Sequence, residues 1–322
     1  LKVIKNIGDL LKNYNSINDK RSEIPYDIDG LVYKINNLLY QNRLGTVGKT
    51  PRWAVAHKFA SETAKTTIKK IDIQIGRTGS VTPVARLEPI NIGGVLVSNA
   101  TLHNFEEIEK KDIRVGDTVI VERAGDVIPH IMEVVSGKNK NRSDLFVPPK
   151  KCPVCNSSIV IDPEEVVVRC SGAQICEAQI VGRLKHFVSR SALDIEGLGD
   201  KQISFFYKKK IISNYADIFK LEKNEDQIVN MEGWGELSFN NLIKAINDKR
   251  KINLSKFIYS LGIRFVGEKN AHAIALAFRN VKEFTKFYKN DESTIKEIFI
   301  NLEITDGLGP KAIQSFKEYS DY

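Results

Sequence analysis

All four cysteines of the chain fall between positions 152 and 176, and they constrain its folding more than any other feature. Cys152 and Cys155 form C-P-V-C, followed by Asn156, a residue that tolerates a left-handed turn. Cys170 and Cys176 are spaced more widely. A segment this short cannot bury an independent core. Four thiolates complete a closed tetrahedral zinc shell of the structural type. Metal binding would then supply folding energy on the order of 10 kcal/mol. Disulfides require an oxidising compartment, and nothing in the chain points to export. None of the five histidines has ligand spacing to these cysteines.

The last third repeats itself. IEGLGDK, MEGWGEL, RFVGEKN and TDGLGPK each sit between two helical patterns. The unit reads as helix, short hairpin, helix. Gly197 and Gly199, Gly233 and Gly235, Gly267, and Gly307 and Gly309 tighten the turns. They leave backbone N–H groups bare at the start of the following helix, where donors and dipole favour an anion. Lys201, Lys269 and Lys311 follow closely and add charge. Four such units suit the phosphates of a DNA duplex, gripped without reading bases. The third copy is irregular, because Phe265 replaces its first glycine.

The net charge of +8 also favours nucleic acid. No stretch approaches about 20 apolar residues, so no membrane span is predicted. The pattern predicts a multidomain α+β chain. Residues 1–65 carry an amphipathic helix and two strands. Residues 66–148 carry short strands broken by the helix NFEEIEKK, as in an OB-fold barrel, and close with the polar linker KNKNRSDLFVPPK. Residues 149–180 hold the zinc segment, and 181–322 the four hairpins.

In WAVAHKF the face of Trp53, Val55, His57 and Phe59 reads as core. The other face is Ala54, Ala56 and then Lys58. In DGLVYK, Val32 and Lys34 share a face, and Asp29-Gly30 by itself reads as a turn. Small side chains ending in a lysine let a flat ligand lie on the strands with an ammonium at its phosphate or ring nitrogen.

The stretches EIPYDIDGLVYKIN, LGTVGKTPRWAVAHKF, IGRTGSVTPVARLEPI, GVLVSNATLHN, RAGDVIP, LKHFVSRSALDIEGLGDK and SLGIRFVGEKNA, with the CPVC cluster, resemble the bacterial NAD-dependent DNA ligases. They do so in family order and over essentially the whole chain. The resemblance implies a partial nucleotidyl-transferase sheet, an OB-fold, a four-cysteine zinc finger and a helix-hairpin-helix domain. It implies the sealing of nicks in three steps. A lysine takes AMP from NAD, AMP moves to the 5′-phosphate, and the 3′-hydroxyl expels it.

Such in-line displacements need Mg²⁺ and several cations. By the same resemblance Lys58 meets the adenylate phosphate and Lys34 the adenine side. Asp29 serves the metal or the geometry of transfer, Arg21 stands near the phosphates, and Arg77 contacts DNA or the reacting phosphates. The implied setting is a monomer on nicked duplex DNA in the bacterial cytoplasm, associated with the nucleoid and not with a membrane.

The family's nucleophile lies in a K-x-D-G motif, and none occurs in these 322 residues. The chain therefore reads as a carboxyl-terminal portion, lacking the nucleotide-gripping amino-terminal domain, most of the adenylation domain and the BRCT module. It is expected not to form enzyme–AMP alone. The alternative is a non-catalytic zinc-containing module that binds duplex or nicked DNA. A single-strand or RNA preference is disfavoured by the hairpins and by an aromatic content of 8%.

Overall fold

The computed structural model describes residues 1–320 except 27, 49, 124–127, 137–141, 162–166, 279, 288, 290 and 291. The AGDV of RAGDVIP and the KNKN that opens the expected linker lie outside the described residues. Two compact units form: Leu1–Ile73 with Thr82–Pro148, and Gln74–Val81 with Pro149–Tyr322.

In the first unit, helix α1 (Ile7–Asp19) starts where the Asn6 side chain accepts the Asp9 amide at 2.8 Å. That bond satisfies one of the donors that a helix start leaves open. A 3-10 turn (Arg21–Glu23) leads to β1 (Gly30–Lys34). Helix α2 (Leu38–Leu44) is capped by Asn37, and β2 (Thr46–Val47) and β3 (Thr50–Pro51) make a small hairpin before β4 (Ala54–Lys58). Strands β1 and β4 pair antiparallel, from Gly30 opposite Lys58 to Lys34 opposite Ala54.

Residues directly opposite share a face. Val32, Lys34, Ala54, Ala56 and Lys58 therefore lie on one side, and Leu31, Tyr33, Val55 and His57 on the other. Tyr14 of α1 stacks on His57 at 3.9 Å, and the Tyr33 hydroxyl meets His57 Nδ1 at 3.0 Å. The bulky face is less buried than its composition predicts. Phe59 is buried and Trp53 and His57 are half-buried, but Val55 is 65% exposed. A two-stranded ribbon with one helix cannot enclose a whole face.

The strands β5 (Glu62–Ile75), β6 (Val81–Ile92), β7 (Val95–Thr101), β8 (Thr118–Arg123) and β9 (His130–Ser136) close into a barrel in the order β5-β6-β7-β9-β8. Closure gives each of these strands a neighbour on both sides. Ile68, Ala85, Leu87, Val119, Val121 and Ile131 fill the barrel, together with Ile108 from α3 (Phe105–Lys110).

The linker expectation needs correction from Arg142 onward. The Arg142 guanidinium donates to both oxygens of fully buried Asp117, at 2.7 and 3.3 Å. The Ser143 amide donates to the Val115 carbonyl, and Phe146 stacks on Phe105. Residues 142–146 are thus strapped to the barrel. Polar composition suggested a tether, but a bidentate ion pair and one aromatic suffice to dock it. Asp117→Ala leaves Arg142 paired with Asp112 alone, at 2.8 Å, and deprives the Arg114 amide of its acceptor, and is expected to cost about 1–3 kcal/mol in urea unfolding.

The second unit begins with the ribbon β10 (Ile159–Ile161) and β11 (Val168–Cys170). Helices α4 (Glu177–Val188), α5 (Asp200–Lys208), α6 (Tyr215–Ile218), α7 (Glu225–Val229), α8 (Glu236–Asp248), α9 (Leu254–Ser260), α10 (Glu268–Ala277), α11 (Val281–Phe287), α12 (Glu292–Glu303) and α13 (Pro310–Ser320) follow. Their apolar faces meet in one continuous core that includes Phe187, Phe206, Phe278 and Phe316. The β5–β6 loop joins this unit. The Gly79 carbonyl accepts the Cys170 amide at 2.8 Å, and Arg169 reaches the Thr78 carbonyl.

Candidate functional site

The open face of the β1–β4 ribbon carries two cations at opposite ends. Lys34 stands opposite Ala54, and Lys58 lies four residues further along β4. That register separates them by about 13 Å of strand. Ala54, Ala56 and Val32 form the floor between them, and Val32 is exposed. The Lys34 ammonium sits over the Trp53 ring at 6.0 Å.

Gly30 sets the other end. A Cβ there would lie 2.4 Å from the His57 carbonyl oxygen and 2.7 Å from the Lys58 Cα. Only glycine lets β1 approach β4 this closely, so Asp29-Gly30 is the start of a paired strand and not a turn. The pairing brings the Asp29 carboxylate onto the Lys58 ammonium, which donates to it. That bond holds the Asp29 carboxyl below its ordinary value, with the Arg21 charge adding to the effect and desolvation opposing it. The pair therefore contributes at neutral pH and is lost as pH falls through the lowered Asp29 pKa.

Arg21 donates to Glu62 at 3.2 Å and lies over the Phe59 ring at 5.6 Å. Arg21, Asp29 and Lys58 thus form one cluster, and Lys34 takes the far end. Gly30→Val should disrupt the bond from the Phe59 amide to the Asp29 carbonyl, now 2.9 Å. Hydrogen exchange at Phe59 is expected to accelerate on the order of tenfold or more.

In the zinc segment the four sulfurs lie within 4.8 Å of one another. Zinc with bonds of about 2.3 Å places tetrahedral sulfurs about 3.8 Å apart, so the donor set fits that metal. Asn156 adopts φ +61° and its amide donates to the Cys152 carbonyl. The Val154 and Gly172 amides point at the Cys152 and Cys170 sulfurs, at 3.4 and 3.3 Å. A Cβ on Gly172 would come within 2.6 Å of the Cys155 sulfur, a constraint that spacing alone does not reveal. Hydrogen bonds from Ser157 hold the Cys155 thiol down at about 6, while burial pushes Cys170 up to about 12. A dication offsets the cost of ionising the buried sulfurs.

The four hairpins share one geometry. Gly197, Gly233, Phe265 and Gly307 have φ of +85°, +80°, +59° and +79°. Phe265 therefore takes the left-handed place of the missing glycine, and the third copy is regular in backbone. The following residue, Leu198, Trp234, Val266 or Leu308, anchors each turn in the core. Then Gly199, Gly235 and Gly267 are the caps of α5, α8 and α10, and Gly309 immediately precedes α13.

Gly235 and Gly267 have φ of −167° and −78°, open to any residue, and no internal atom lies within 4 Å of a Cβ at Gly235, Gly267 or Gly309. Neither backbone strain nor internal packing calls for glycine there. A bare surface allows an external group to approach the amides. Lys201, Lys269 and Lys311 are exposed in the first turns of α5, α10 and α13.

Arg77 belongs to the second unit, in the β5–β6 loop. Helix α4 packs closely on it: a Cβ on Gly182 would lie 3.0 Å from the Arg77 Cβ.

Four family models match the chain. They are the NAD-dependent DNA ligase adenylation domain over residues 1–62, the NAD-dependent DNA ligase OB-fold domain over 65–143, the NAD-dependent DNA ligase C4 zinc finger domain over 151–178, and the helix-hairpin-helix motif over 256–321. The chain is 47% identical to a DNA ligase of Afipia carboxidovorans, over 98% of this chain and 46% of that protein. It is 47% identical to a DNA ligase of Bartonella bacilliformis (96% of this chain, 46% of that protein) and 46% identical to one of Neorickettsia sennetsu (97% and 46%). The chain thus spans about half the length of the curated relatives it matches.

Proposed function

The chain carries the domains of an NAD-dependent DNA ligase, and on that premise we propose that it grips nicked duplex DNA and supplies part of the adenylyl-transfer site. The observation that carries this reading is the fourfold hairpin: a left-handed residue, a core anchor, then a helix start preceded by glycine. Main-chain amides at helix starts bind phosphate without regard to base, as nick sealing requires.

On the ribbon, Lys58 would hold the adenylate phosphate and Lys34 the adenine side, with the nucleotide lying over Ala54, Ala56 and Val32. Asp29 keeps Lys58 in place until phosphate charge competes for the ammonium. Arg21 adds positive potential beside them, and Arg77 would meet DNA phosphates. Mg²⁺, when bound, would neutralise charge on the transferring phosphate. Zinc serves folding and not chemistry. NAD is the AMP donor, and the setting is a monomer in the bacterial cytoplasm, at the nucleoid. The division at residues 65, 148 and 180 assigns transfer to the first part and grip to the rest.

Fluorescence anisotropy with a nicked duplex tests the grip. Four phosphates held give a slope of log K against log salt of about −3.6 or steeper. An affinity indifferent to salt would refute it. NAD labelled in its adenylate should leave no label on this chain, because no K-x-D-G is present. Stable labelling contradicts that expectation.

A further inference from the structure

The second unit carries an open cavity of about 650 Å³, walled by the β5–β6 loop, α4, the α9–α10 connection and α13. Pockets for small organic ligands span roughly 300–1,000 Å³. Among the described residues, three guanidinium side chains line this one, Arg77, Arg183 and Arg264, against one carboxylate, Glu318. Half-buried Ile180 gives it an apolar floor, and two phenols, Tyr215 and Tyr319, flank it.

The walls are held in place. Arg183 donates to the Ala173 carbonyl at 3.1 Å, and close packing of Gly182 clamps the backbone of Arg77. Tyr215 donates its hydroxyl to the Leu261 carbonyl at 3.0 Å and stacks on Phe187 at 4.5 Å. Guanidinium groups offer forked donors matched to phosphate oxygens. An apolar floor beside them suits a planar ring.

We propose that this cavity binds a mononucleotide-sized organic phosphate, its phosphate on Arg183 and Arg264 and its ring against Ile180. The proposal is independent of the transfer role given to Lys34 and Lys58, which belong to the other unit.

Equilibrium dialysis of the zinc-loaded chain with labelled AMP and labelled nicotinamide mononucleotide tests it, with inorganic phosphate and a nicked duplex as competitors. Saturable binding of one mononucleotide per chain is expected. Arg183→Gln and Ser315→Trp should each weaken it about tenfold or more. Ser315 is half-exposed on α13, so its tryptophan variant fills the cavity while zinc content and melting temperature stay unchanged.

Absence of saturable binding, or binding indifferent to both variants, overturns the proposal. Inorganic phosphate competing as tightly as the nucleotide overturns the ring site. Duplex binding that Ser315→Trp abolishes, without nucleotide binding, assigns the arginines to backbone phosphates and overturns it too.

Discussion

Cys170→Ser is expected to take zinc content from one ion per chain to well below one, and to unfold residues 152–176 as a unit. The segment has no core of its own to fall back on. Its order rests on four sulfurs within 4.8 Å and on the amides aimed at them. Loss of the metal removes folding free energy on the order of 10 kcal/mol, against which the short ribbon of β10 and β11 offers little. The damage should spread to the β5–β6 loop, whose Gly79 carbonyl accepts the Cys170 amide. Zinc release measured with a chromogenic chelator, together with amide exchange at Cys170 and Ile175, reads both effects. Full zinc content in the serine variant would exclude a site that needs all four thiolates.

Gly267→Leu and Gly235→Leu are each expected to weaken nicked-duplex binding about tenfold or more, with the fold left intact. Neither backbone angle demands glycine, and a new side chain meets no internal atom within 4 Å of its Cβ. The leucine instead occupies the space through which a phosphate must reach the amides. In combination the two losses should add, since the hairpins share no ligand atom.

Gly267→Ser sharpens the test, because serine is a good helix cap and occupies the amides with its own hydroxyl. Melting temperature should rise slightly while affinity falls. Affinity unchanged in all three variants would mean that the hairpins are only connectors between packed helices.

The hairpins and the zinc segment are legible in the residues because local rules govern them. A positive φ calls for glycine or a tolerant residue, and Asn156 and the glycine pairs announce it. The barrel's alternation and its helix at Phe105–Lys110 are legible for the same reason. The ribbon's shared face is not. Alternation places Lys34 and Lys58 each on some face of its strand, but only the register makes the two faces one.

Asp29-Gly30 resembles a turn until the 2.4 Å approach of His57 is seen. Val55 misleads because burial depends on how many elements cover a face, which no single strand records. Residues 142–146 look like a tether because their ion-pair partner, Asp117, is 25 residues distant. The arginine-lined cavity joins residues from 77 to 319, too far apart for any motif.

Helix α13 opens on Pro310, where the other three hairpin helices open on Asp200, Glu236 and Glu268. Proline has no N–H to offer, though its ring fixes the angle that a first helical residue needs. The fourth turn is therefore stiffer and poorer by one donor. The four helix starts are unequal by construction: the fourth lacks one amide, whereas the other three each set a carboxylate beside theirs.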